Sequence, residues 1–257
     1  ESTNRNIKIG DTALDSVDTT SPDTAADNVA IGNAALTANL FGNKNIAIGS
    51  NALDANTTAS FNIGIGHNAL TANSTGTENV GIGQDALAAN TADDNTGVGF
   101  QALETNSTGA DNTAFGHNAL QANTTASNNV AIGSGAADAN TTGAQNTAVG
   151  QGAFTTNTTG SHNTAIGRSA LLSATTADYN TAVGSGALDT TTTGAQNVAV
   201  GYKAMDANTT GGSNVAIGYQ ALDANTTASY NTAVGHSALT ANTTGEDNVA
   251  MGYNALD

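Results

Sequence analysis

A five-residue phrase of the form Asn-(Val/Thr)-Ala-(Ile/Val)-Gly returns along this chain almost every seventeen residues, and it sets the hydrophobic pattern of the whole sequence. A large apolar residue stands directly before each phrase glycine, as in Ile31, Ile48, Ile65, Val149 and Ile217, with Phe115 and Met251 as variants. Two residues before the glycine only Ala or Gly occurs after the first copy, and three before it Val, Ile or Thr. Three and four residues after it come Ala and then usually Leu, as in Ala35-Leu36 and Ala221-Leu222. The glycines run from Gly32 to Gly252 with a degenerate copy at Gly10; twelve intervals are 17 residues, one is 16 (Gly83 to Gly99) and the first is 22. Such internal copying predicts a solenoid, in which each unit buries its apolar face only against its neighbours.

β-branched residues three and one before the glycine share a face at period two, so the phrase reads as a strand. The invariably small residue between them predicts a crowded opposite face, approached by the far wall of the same coil or by a neighbouring chain. The Ala-Leu segment is ambiguous. Gln220-Ala221-Leu222-Asp223-Ala224 contains good helix formers, but strands stack about 4.8 Å apart while helices need about 8 to 10 Å. The favoured reading is therefore an all-β, parallel β-solenoid (β-roll) of about fifteen 17-residue coils, each with two five-residue strands, a corner and a loop. A strand plus a short helix per coil is the alternative. Residues 1–27 form a divergent N-terminal coil or cap, and 28–257 the regular solenoid. Thr-Thr-Gly and Thr-Thr-Ala stretches mark the loops. There the 16-residue unit is short, near Asn90-Thr91-Ala92-Asp93-Asp94, and the extra residues of the first unit lie with Pro22 between Val17 and Ala26.

Two asparagine rows frame each coil. One precedes the strand at Asn28, Asn45, Asn62, Asn79, Asn95, Asn112, Asn129, Asn146 and Asn163 and continues to Asn248. Stacked amides at this position are expected to bond coil to coil while satisfying corner backbone groups. The other ends the Ala-Leu segment, broken at Ala174 and Thr191, and nine of its members sit in Asn-x-Ser/Thr sequons: Asn56, Asn73, Asn106, Asn123, Asn140, Asn157, Asn208, Asn225 and Asn242. These are candidate glycosylation sites as well as a second structural ladder.

Composition changes the picture in one respect. With 30 glycines, no Cys, no Trp and 4% aromatics in 257 residues, bulk cannot build the core, so repetition must. A formal charge of -16 repels phosphate backbones and makes nucleic acid an unsuitable partner. No apolar run reaches the length of about 20 residues that a membrane helix needs. Residues 1–5 lack the apolar stretch of a signal peptide, so an export signal is expected to have been removed or to lie outside this chain.

Catalytic chemistry is not indicated. His67, His117 and His236 occupy the variable position after the phrase glycine, and His162 a variable loop. No Gly-x-Ser-x-Gly elbow or nucleotide-binding glycine pattern occurs. Asp54, Asp138, Asp189, Asp206 and Asp223 share the position after the Leu row without the glycine-rich calcium-coil pattern. The chain is expected to have no catalytic residues, no metal and no cofactor.

Asn163-Thr164-Ala165-Ile166-Gly167, with x-x-Ala-Leu and Asn-Thr-Thr-Gly, resembles the repeats of bacterial and phage tail-fibre-like proteins, which often precede a self-cleaving chaperone domain. Asn28-Val29-Ala30-Ile31-Gly32 is also similar to the head repeats of trimeric autotransporter adhesins, whose shorter coils form left-handed parallel β-rolls in trimers. The resemblance covers residues 28–257 and carries no catalytic residues across. It implies a left-handed roll and a homotrimer; the thinness of a seventeen-residue coil itself calls for association of parallel chains, expected through the small-residue face. It also implies a rigid extracellular, cell-surface or virion-borne fibre segment of about 70 Å at 4.8 Å per coil, used for attachment or display. His67, Phe100, His117, Tyr202, Tyr219, His236 and Tyr253 would form its exposed contact stripe, facing a cell-surface glycan or protein receptor. Two other readings stay open. Open ends at Asn6-Ile7-Lys8-Ile9-Gly10 and Asn254-Ala255-Leu256-Asp257 suit a filament subunit stacking head to tail, and Thr rows such as Thr57-Thr58 suit an ice-binding solenoid.

Overall fold

A computed structural model describes residues 5–17 and 25–257. The insertion containing Pro22 lies outside the described residues. The chain divides into two compact units, Glu1–Asn128 and Asn129–Asp257, and both are built from strands and turns with no helix among the described residues.

The first unit holds β1 (Ile7–Ile9), β2 (Val29–Ile31), β3 (Ile46–Ile48), β4 (Ile63–Ile65), β5 (Val80–Ile82), β6 (Thr96–Val98) and β7 (Thr113–Phe115). Each pairs in parallel with the next, and the repeat positions fall in register: Ile46 opposite Ile63, Ala47 opposite Gly64, Ile48 opposite Ile65. β1 joins this ladder despite the longer spacing, with Ile7 opposite Val29. The second unit repeats the arrangement with β8 (Val130–Ile132), β9 (Thr147–Val149), β10 (Thr164–Ile166), β11 (Thr181–Val183), β12 (Val198–Val200), β13 (Val215–Ile217), β14 (Thr232–Val234) and β15 (Val249–Met251). These too pair in sequence order, parallel and in register. Each unit is thus a parallel β-solenoid whose coils follow the sequence repeat.

The strands are three residues long, and from β2 onward their inward residue is the small one. Ala30, Ala47, Ala114, Ala165 and Ala216 are fully buried, whereas the flanking β-branched residues are half-buried or exposed. Behind them stand the Ala-Leu rows, with Leu36, Leu53, Leu70, Leu171 and Leu222 at 0% exposure and Phe154 and Met205 as their bulkier substitutes. A methyl built on Gly64 would lie 3.2 Å from Leu53 Cγ and 3.2 Å from the Ala69 carbonyl oxygen. The crowding expected from the small residues therefore comes from within the coil stack. Association through the small-residue face is corrected accordingly: that face is the core, and the large β-branched side chains point outward.

The Ala-Leu segment is neither the second strand nor the short helix expected. Its backbone alternates handedness: Asn51 and Leu53, or Gln220 and Leu222, have φ between +49° and +59°. The Ala52 N–H donates to the Gly49 carbonyl and the Asn56 N–H to the Leu53 carbonyl, closing two successive turns. Between them the Leu53 N–H bonds the Ala69 carbonyl of the next coil at 3.0 Å and the Ala55 N–H bonds the Thr71 carbonyl at 3.1 Å. Left-handed backbone costs a non-glycine residue about 1–2 kcal/mol, which full burial of a Leu side chain, at about 2 kcal/mol, offsets.

Candidate functional surface

In coils where both asparagine rows are present, the two converge on one loop carbonyl. In the loop that ends at Gly42, the Nδ2 groups of Asn28 and Asn39 both donate to the Gly42 carbonyl at 2.9 Å. Asn45 and Asn56 do the same to the Ala59 carbonyl, at 2.9 and 3.1 Å. The other end of each first-row amide reaches along the stack. Asn28 Oδ1 accepts the Asn45 N–H at 2.9 Å, Asn45 Oδ1 that of Asn62, and Asn62 Oδ1 that of Asn79. In the second unit Asn146 Oδ1 accepts the Asn163 N–H and Asn163 Oδ1 the Asn180 N–H, both at 2.9 Å. The second row bonds amide to amide, as from Asn56 Nδ2 to Asn39 Oδ1 at 2.8 Å and from Asn157 Nδ2 to Asn140 Oδ1 at 2.6 Å. In the 16-residue coil the loop loses a residue and both rows persist, Asn106 Nδ2 meeting Asn90 Oδ1 at 2.7 Å. Asn112 and Asn129 lie in the same first row, each donating its amide to a loop carbonyl, of Ala126 and Gly143 respectively.

This geometry bears on the sequons. Asn56, Asn73, Asn106, Asn123, Asn140, Asn157, Asn208 and Asn225 are 0% exposed, and each uses its Nδ2 on a loop carbonyl within its own coil. The folded coil leaves no room for a glycan on that nitrogen. Asn242 is half-buried, its Nδ2 held at 2.9 Å by the Gly245 carbonyl.

The residues expected to form a contact stripe stand one position past the phrase glycine. His67, Phe100, His117, Tyr202, Tyr219, His236 and Tyr253 are all exposed. Most of these rings face one another. Phe100 stacks on His117 at 5.3 Å in the first unit. In the second, Tyr202, Tyr219, His236 and Tyr253 form a continuous column with centroid spacings of 5.3, 4.8 and 5.2 Å. A ligand approaching from the side therefore meets ring edges and phenol hydroxyls, since the faces are taken by neighbours.

Two further rows were not singled out from the sequence. The residue before each first-row asparagine is left-handed, and it carries a second aromatic line: His162 stacks on Tyr179 at 4.8 Å, and the Lys44 ammonium lies 5.1 Å from the Phe61 ring centre. One residue earlier, side-chain oxygens of Asn43, Ser60, Asp93, Ser161 and Asp178 accept backbone N–H groups of the preceding coil at 2.7 to 3.1 Å. The chemical types there vary, which hid the shared acceptor. Asn6 was also missed as the first member of the first row; its Oδ1 accepts the Asn28 N–H at 2.8 Å.

The aspartate row is half-buried. Among the described residues no three His, Asp or Glu side chains gather as a metal site. Burial pushes the Asp138, Asp189 and Asp223 carboxyls above the usual carboxylate range, with repulsion from Asp206 adding to the rise at the last two. Lys203 pairs with Asp206 at 3.1 Å, which raises the Lys203 ammonium. No helix among the described residues is long and apolar enough to cross a membrane. Compared with protein-family models, curated proteins and solved structures, the chain matches none.

Proposed function

We propose that this chain is a structural and adhesive segment of a fibre on a cell or virion surface, acting by presentation and carrying no catalytic chemistry. The observation that carries the reading is a division of labour by row. The near-invariant Asn, Ala, Leu and Gly positions are consumed in coil-to-coil bonding and packing, while side-chain variety concentrates at exposed positions such as Tyr202, Tyr219, His236 and Tyr253. A scaffold that fixes its interior and varies its rim suits display toward a glycan or protein receptor. The fibre is read as a homo-oligomer, a trimer by resemblance.

The test is binding of the fluorescently labelled full chain to arrayed glycans and to whole cells, beside the variant Tyr202→Ala/Tyr219→Ala/Tyr253→Ala. Saturable binding that the variant loses, with an unchanged circular dichroism spectrum, supports the reading. Equal binding by both chains removes the stripe from it, and no binding to any surface removes adhesion. Ice binding remains a second reading because Thr58, Thr125, Thr159 and Thr227 are exposed, one per coil, beside inner threonines whose hydroxyls bond the next coil. Thermal hysteresis in a freezing assay decides it.

A further inference from the structure

The column of Tyr202, Tyr219, His236 and Tyr253 is regular as well as exposed. Each ring comes from one coil of the second unit, and the centroids follow at 5.3, 4.8 and 5.2 Å, close to the spacing of stacked strands. Because the faces are stacked on one another, the column offers a row of polar edges. The Tyr202, Tyr219 and Tyr253 hydroxyls bond no protein group among the described residues, and His236, whose Nδ1 meets the Ser237 hydroxyl at 3.0 Å, keeps its Nε2 without a partner. The half-buried Gln220 follows Tyr219 in the chain and adds an amide beside it. A ladder of hydrogen-bonding groups, one per coil, therefore runs along this edge.

On the display reading of these residues, we infer that their ligand is a neutral, extended polysaccharide of β-1,4-linked pyranoses, laid parallel to the column with one sugar opposite each ring. Period decides among polymers. An extended peptide advances about 3.3 Å per residue and meets the ladder at every second coil at best, whereas a β-1,4-linked pyranose chain advances one sugar in nearly the coil distance. Its equatorial hydroxyls line the edge of a flat ribbon, and they donate to and accept from phenol hydroxyls and an imidazole nitrogen. An α-1,4-linked chain coils, and it brings few of its sugars to a straight ledge. Charge decides among sugars. Asp206 and Asp223 stand four residues beyond Tyr202 and Tyr219 in a chain of net charge -16, so uronic, sulfated and sialylated chains are repelled. Each contact is solvent-exposed and weak, but successive sugars of one chain add contacts without a second loss of association entropy. Affinity must then grow with ligand length until the ladder is used up.

Intrinsic fluorescence reads the binding directly, because the chain has no Trp and three of its five Tyr residues, Tyr202, Tyr219 and Tyr253, stand in the column. The full chain is titrated with cello- and chito-oligosaccharides of two to six sugars, and with maltohexaose as the coiled control. Affinity for a β-linked series is expected to rise about tenfold or more from dimer to tetramer and to level off beyond one sugar per ring, with maltohexaose far weaker than the β-linked hexamers. Tyr219→Phe keeps the ring stack and removes one hydroxyl. It should bind the tetramer about fivefold more weakly, the worth of one hydrogen bond, while Tyr230→Phe, exposed outside the column, binds like the parent. Affinity independent of length, maltohexaose bound as tightly as the β-linked hexamers, or Tyr219→Phe binding like the parent each overturns the inference. Attachment to cells with no β-linked oligosaccharide bound keeps the display reading and removes this ligand; oligosaccharide binding with no attachment to any surface keeps the ligand and removes adhesion.

Discussion

Asn146 and Asn163 hold the same position in successive coils yet carry different loads. The Gly160 carbonyl receives the Nδ2 groups of both Asn146 and Asn157, so losing Asn146 leaves that oxygen with a partner. Asn163 donates to the Ala177 carbonyl at 2.7 Å, and the second row is interrupted there by Ala174. Asn163→Ala therefore strands both the Ala177 carbonyl and the Asn180 N–H, whereas Asn146→Ala strands the Asn163 N–H. At about 1–3 kcal/mol for each buried group left unpaired, Asn163→Ala should cost roughly twice as much as Asn146→Ala, read from urea melts of the two variants. Equal losses would mean that the shared carbonyl is not what makes the two rows interdependent. At Gly66, φ is +136° and an added methyl would collide with the Gly83 carbonyl of the next coil. Gly66→Ala is expected to cost more than about 3 kcal/mol, since strained backbone and a backbone clash add, measurable as a drop in Tm.

At the scale of one coil, the strand, the corner glycine and both asparagine rows were legible because identical chemistry is copied at fixed spacing. Internal repetition makes a row visible even without relatives. What was not legible is the handedness of the Ala-Leu segment. Leu and Ala give no sign of left-handed backbone, and the residue types that do, Asn51, Asn68, Asp85, Gly135, Gly152 and Gly186, are diluted in their row by Gln101, Lys203 and Gln220. Which neighbour crowds the small-residue face, the far wall of the coil or another chain, is not legible either, since alternation says that two faces differ and not which one is inside. The left-handed row makes a direct prediction. Gln220 has φ of +49°, and replacing it by glycine removes the steric cost of that conformation, so Gln220→Gly should raise stability by about 1 kcal/mol. The same change one residue on, at the core position Ala221, has no positive φ to relieve and should destabilise. Opposite signs in the two melts are the outcome that supports alternating handedness. The aromatic column adds to coil coupling in the same way. Each stacked pair such as Tyr219 and His236, 4.8 Å apart, is expected to show a coupling of about 0.5–1.5 kcal/mol in a double-mutant cycle.

Across the molecule, charge is the force that opposes the repeat. Acidic side chains at equivalent positions are brought into neighbouring coils by the same copying that stacks the amides, and Asp189, Asp206 and Asp223 fall in such a row. Their burial and mutual repulsion raise the Asp189 and Asp223 carboxyls, and burial raises Asp138. An acid whose folded value lies above its unfolded value binds its proton more tightly in the folded chain. Stability therefore falls as pH rises through the window that begins near the ordinary value of 3.8 and extends to the raised folded values. The contribution is fully unfavourable above that window and is relieved on acidification. Lowering the pH from 7 into that window should thus raise Tm, helped by the fall in the net charge of -16 as the sequence pI of about 4.1 is approached. Asp223→Asn, which removes a carboxylate whose Oδ1 is buried without a partner, should raise Tm at pH 7 and flatten the profile. A parent Tm that instead drops as the pH is lowered into that window would mean that the carboxylates are stabilised by the fold and that the acidic rows assist stacking.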